Sequence, residues 1–144
     1  MIWSKKGQVS IELLVIVATV LLIFVPLLVS VYFKANEANA SIESYKAQLG
    51  VSRIANLVNS IGNLGDGSFI IAQVYVPKNT KQIKFLSSGN GGEVVFVLDS
   101  GGQSIDYAES VKYPVIGSTI NTPYEGVILL NITSVNNQVS VRKI

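Results

Sequence analysis

Residues 13–33 read LLVIVATVLLIFVPLLVSVYF, 21 consecutive positions without a charge. As a helix rising about 1.5 Å per residue, the run is ~31 Å long and matches the hydrocarbon core of a bilayer. It is apolar on every side, so a small domain cannot bury it; the run has to meet lipid or other copies of itself. Two residues complicate a plain membrane anchor. Pro26 lies inside the run. It deletes one backbone hydrogen bond and crowds the preceding turn, so a kink is expected, with neighbouring helices compensating the freed carbonyl in a membrane. A tolerated kink without a role is the alternative. Glu12 stands at the mouth of the run, and an ionisable side chain entering a membrane span is a functional hypothesis by default.

Composition narrows the function classes. The hundred or so residues beyond the run suffice for one small domain. The chain has no Cys, which excludes disulfides and thiolate metal sites, and no His, which removes the commonest general base and metal ligand. Charged residues make up 14% and form no basic cluster after Lys6, so no nucleic-acid footprint is visible. No nucleophile motif stands out, no cofactor is expected, and the chain reads as a non-enzyme.

The N-terminus admits three readings. In an ordinary secretory signal peptide Lys5 and Lys6 form the charged region and Ala38-Asn39-Ala40 offers a cleavage site, but the apolar run exceeds the usual 7–15 residues. In a single-pass anchor the same lysines predict a cytoplasmic N-terminus. Tyr32 and Phe33 then lie at the outer interface as an aromatic belt before Lys34, with generic packing as the alternative for them.

The third reading takes the opening motif whole. Lys5-Lys6-Gly7-Gln8-Val9-Ser10-Ile11-Glu12-Leu13-Leu14 resembles the class III signal peptide of archaeal type IV pilin-like proteins. The likeness covers about ten residues and the helix after them; further along it is architectural only. It implies cleavage between Gly7 and Gln8 by a membrane prepilin peptidase, retention of the apolar helix, and extraction of that helix from the cytoplasmic membrane into an extracellular filament. An assembly ATPase and a membrane platform protein are the implied partners. Cleavage would remove two of the eleven basic residues and no acidic one, leaving nine of each, and a neutral chain repels its copies little. It would also create an α-amine on Gln8, one helical turn from Glu12 and on the same face. That pair can close within one subunit. The resemblance implies instead that it forms between subunits and sets their axial stagger. The plainer account of Glu12 is an acid near a helix N-terminus, wetted by headgroups.

The helix is expected to continue over residues 8–62. Ala35, Ala38, Ile42, Tyr45 and Leu49 form a heptad-like apolar stripe that resumes at Ile54, Leu57 or Val58, and Ile61. Gly50, costing about 1 kcal/mol relative to Ala in a helix interior, suggests a bend or phase shift there. One continuous helix of this length would be ~80 Å long. Gly62, Gly65 and Gly67 then punctuate it; a phosphate cradle would need strand, loop and helix in that order, so a linker is the expectation.

From residue 68 onward the period is two. Strands are expected at 69–76, 81–86 and 93–98. Short edge-like ones follow at 104–107 and 111–115 around Pro114, and a closing pair at 125–133 and 138–142 turns at Asn136-Asn137. The fold class is therefore α+β, lollipop-like: a long N-terminal hydrophobic α-helix with a C-terminal antiparallel β-sheet or small β-sandwich over 68–144. One sheet face is expected to pack on the Ile42-to-Ile61 stripe. Asp99, Asp106 and Glu109 lack the ligand spacing of a cation loop and read as solvated turn residues. Asn39-Ala40-Ser41 and Asn131-Ile132-Thr133 are sequons for N-glycosylation. The function expected is that of a structural, homo-oligomeric pilus subunit serving adhesion or surface attachment. The alternatives are a minor pilin or pseudopilin, or a single-pass anchored binding domain.

Overall fold

The computed structural model describes residues 5–121 and 126–144, with side chains described from Ile11 onward. The chain is α+β. One α-helix, α1 (Lys5–Leu64), precedes eight strands: β1 (Phe69–Val76), β2 (Thr80–Ser88), β3 (Gly91–Ser100), β4 (Gln103–Val111), β5 (Val115–Gly117), β6 (Ile120–Asn121), β7 (Gly126–Val135) and β8 (Gln138–Lys143). By compactness it divides into two units, residues 1–39 and 40–144.

The described residues of the first unit are all helical. From Ile11 to Asn39 every side chain is exposed. The backbone is helical on both sides of Pro26. The one hydroxyl inside the first half of the apolar run, that of Thr19, donates to the carbonyl of Val15 at 2.8 Å, which satisfies it without water.

In the second unit the strands form two four-stranded sheets, ordered β1-β7-β8-β5 and β4-β3-β2-β6. All pairings are antiparallel except β5 with β8. Between the sheets lies one apolar core. Alternation decides what enters it: β1 turns Ala72, Val74 and Val76 inward, and β7 turns Leu130 and Ile132 inward. The helix joins the same core with Ala47, Val51, Ile54, Ala55, Val58 and Ile61. At Gly50 it lies beside the Phe96 ring of β3 and the Tyr75 carbonyl of β1, so strands of both sheets cover it.

Polar side chains of the helix fasten its packed stretch at each end. Glu43 accepts the backbone N–H of Lys78 at 3.0 Å and pairs with Lys46 at 2.8 Å, and this partner holds the Lys46 ammonium above its ordinary pKa. Asn59 accepts the N–H of Lys112 at 2.8 Å, and Asn63 accepts the Tyr113 hydroxyl at 2.9 Å. These bonds exchange water partners for protein partners, so they mainly fix register.

Several expectations require correction. The helix runs through Gly50 to Leu64 without interruption. Gly50 is there because the sheets approach its Cα, not to bend the helix. Of the expected stripe, Ile54, Val58 and Ile61 are buried as foreseen, whereas Ile42, Tyr45 and Leu49 are exposed. Residues 104–107 belong to one long strand, β4, whose pairing with β3 runs unbroken from Gly92↔Val111 to Ser100↔Gln103. Its weak β-formers are tolerated because they lie on a solvated edge. Pro114 stands between β4 and β5, where its carbonyl accepts the N–H of Val139. The expected start of the closing hairpin, Glu125, lies outside the described residues. The hairpin turn itself is as foreseen, with Asn136 and Asn137 at φ 52° and 60°.

Candidate functional site

The helix is built to present apolar surface. In the first unit that surface is all-round, from Leu13 to Phe33, as befits a segment of membrane-spanning length and composition. In the second unit it is one-sided. At 100° per residue, Ile42, Tyr45 and Leu49 fall on the side of α1 opposite Val51, Ile54 and Val58. Tyr45 is 67% and Leu49 71% exposed. From Arg53 onward this outer side turns polar, with Asn56, Ser60 and Asn63. The 35–49 heptad and the 54–61 series are thus two faces of one helix, and among the described residues only the second is buried. Sequence periodicity identified both sets of residues. It assigned them to one face because Gly50, read as a phase shift, hid the change of side.

The predicted site residues fall as follows. Gly7 and Gln8 lie in helical backbone, and the side chain of Gln8 is outside the described residues. Glu12 is exposed on the helix, four residues after Gln8, so the helix brings these two positions onto one face. Pro26 is an exposed position of the apolar segment, and Asn39 is exposed near the junction of the two units.

Asn131 is elsewhere, half-buried in the middle of β7 on the outer face of the first sheet. Its Oδ1 accepts the Thr133 hydroxyl at 3.1 Å, as two residues apart on a strand share a face. Asp99, read as a solvated turn residue, has specific partners. It pairs with Lys81 at 3.0 Å and accepts the N–H of Gly102 at 2.9 Å. The Lys81 ammonium first, and then that N–H, hold its carboxyl below the usual range. Gly65 and Gly67, at φ 88° and 86°, make the tight passage from helix to β1, where Gly67 donates to the carbonyl of Ser134.

Sequence reasoning missed the outward face of the first sheet. There Phe69, Ile71, Tyr75, Val127 and Leu129 are exposed. The segment GVILLNITSV is apolar at both odd and even positions over its first half, so period two could not say which residues faced out.

No protein-family model, no curated protein and no solved structure matches this chain.

Proposed function

We propose that the chain is a structural subunit of an extracellular type IV pilus-like filament of the archaeal kind, assembled through α1. The observation that carries this is the helix itself, apolar and exposed on all sides from Leu13 to Phe33. Burying one such Leu, Ile or Phe contributes about 1.5–3 kcal/mol, so a bundle of like helices removes a cost that water would impose on every copy. A lipid anchor accounts for the first unit equally well. The outward side chains of Tyr45 and Leu49 favour the filament, because they lie in the unit whose sheets already cover the helix's other side, and they still need an apolar neighbour. The Lys-Lys-Gly-Gln motif supports the same reading.

In this account the precursor sits in the cytoplasmic membrane with its N-terminus inside. A prepilin peptidase cuts after Gly7, and an assembly ATPase and platform protein lift the helix into the bundle. The Gln8 amine of one subunit then meets the Glu12 carboxylate of another. The role is structural and not catalytic, with adhesion or surface attachment as its purpose.

Determining the N-terminal residue of the native protein tests the cut: Gln8 supports the proposal, Met1 means a plain anchor, and Ser41 means an ordinary signal peptide. Replacing Glu12 with Ala should abolish filaments seen by electron microscopy, and normal filaments of normal subunit content would sink the assembly role of that carboxylate.

A further inference from the structure

The outer face of the β1-β7-β8-β5 sheet holds a polar trough that neither the core nor the helix uses. Register aligns Asn131 with Arg142 and Thr133 with Ser140 across β7 and β8. On one flank β1 sets Ile71 beside Asn131 and Phe69 beside Thr133. On the other flank β5 sets Ile116 beside Ser140. Directly opposed residues point to the same face. A concavity of about 210 Å³ is lined by Asn131, Thr133, Val135, Ser140 and Arg142. It shares Val135, Ser140 and Arg142 with a second of about 220 Å³ that reaches Gln138, so the two form one trough.

Its chemistry is specific. An amide, two hydroxyls and a guanidinium stand along the middle, and apolar side chains stand on both sides, with Phe69 67% exposed. Strands lie about 4.8 Å apart, which places hydrogen-bonding groups of β7 and β8 at the separation of substituents across a sugar ring. Among the described residues Arg142 is the one charge at an outward strand position of this sheet, and it makes no ion pair. Its fork of donors suits a carboxylate held by two parallel bonds.

We propose that this trough binds a uronic acid unit of an acidic saccharide. The carboxylate lies on Arg142, the ring hydroxyls on Asn131, Thr133 and Ser140, and an apolar ring face on Phe69. Other occupants fit less well. Nucleic acid binding draws on several cations along a backbone. A peptide strand adds to a sheet edge and not to a face. The same face of a second copy would bring Arg142 against Arg142, with no carboxylate to meet either. The proposal is independent of filament assembly.

The test uses the full chain in detergent micelles, produced without glycosylation. It is titrated by calorimetry with a glucuronate-containing tetrasaccharide and with the same saccharide after reduction of its carboxyl groups. The acidic form should bind about tenfold more tightly than the reduced form, the scale of one charge-assisted contact. Arg142→Gln should erase that difference, Arg142→Lys should restore part of it, and Ser140→Ala should weaken both forms, each with an unchanged circular dichroism spectrum. No binding in the millimolar range, equal affinity for the two forms, or indifference to Arg142→Gln overturns the proposal. So does a full complement of glycan on Asn131 in the native protein, because that chain would occupy the trough itself. Self-association that Phe69→Ser abolishes, without saccharide binding, would make the face an interface between copies and overturn it equally.

Discussion

A Cβ on Gly50 would stand 2.9 Å from Cε2 of Phe96 and 3.4 Å from the carbonyl oxygen of Tyr75. The Phe96 ring is fully buried. Helix propensity alone favours Gly50→Ala by about 1 kcal/mol, whereas overfilling a packed core costs about 1–3 kcal/mol. The second effect should win by roughly 1 kcal/mol. Urea unfolding in detergent should show a lower midpoint for Gly50→Ala and a lower one still for Gly50→Val. A stabilised Gly50→Ala would mean the approach is looser than described.

The two sides of the helix predict opposite phenotypes. Ile54→Ala removes a buried side chain from the shared core and should cost about 2–5 kcal/mol, lowering the unfolding midpoint of the isolated subunit. Tyr45→Ser with Leu49→Ser alters exposed positions and should change stability by less than about 0.5 kcal/mol, while filament yield falls. Loss of stability in the double variant would show that these residues already have a partner within the chain.

Asp99 should give the fold a small dependence on acid. Its carboxyl is held below its ordinary pKa, first by the hydrogen bond from Lys81 and then by the N–H of Gly102. A lowered folded-state pKa stabilises fully above the ordinary value and is lost as pH falls through the lowered one. The contribution is therefore complete at neutral pH and fades below about pH 4. Thermal midpoints of wild type and Asp99→Asn should differ at pH 7 and converge in strong acid. A gap that stays constant across that range would count against the Lys81 pairing in solution.

The β7–β8 turn places Asn136 and Asn137 both at positive φ, and Asn137 is also tied by its N–H to Asp66 at 3.1 Å. Left-handed backbone costs most L-residues about 1–2 kcal/mol. Asn137→Val should thus lower the thermal midpoint, and Asn137→Gly should hold or raise it. Equal midpoints for the two variants would argue against the turn geometry.

Legibility from sequence followed the physics of each segment. The apolar run needed only length and composition. β1 was readable to the residue, because FIIAQVYV ends at Pro77 and begins after Gly67. The Asn136-Asn137 hairpin was readable because two adjacent residues tolerant of positive φ have few other uses between strands. β4 was not, since its extended state comes from pairing with β3 and not from SIDYAES. β6, two residues long, has no local signature at all; Ile120 is held by pairing with Ile83. The outward side of the helix was legible as residues but not as a direction. Arg142 was seen only as the end of a strand, because Asn131 meets it through register, which one-dimensional spacing does not contain.

The position of β8 inside its sheet, between β7 and β5, fixes when the domain can close during synthesis. Val51, Ile54 and Val58 share one core with Val139, more than eighty residues downstream. At ribosomal rates of about 5–20 residues per second the inner helix face waits roughly 4–16 s for its last strand. β5 waits with it, since its pairing partner in that sheet is β8. By then the apolar segment has long been made. In the account proposed above, membrane insertion would therefore precede domain folding on the ribosome's clock, and an unfinished chain would be a tethered one, kept from meeting its neighbours freely while its core face is still bare.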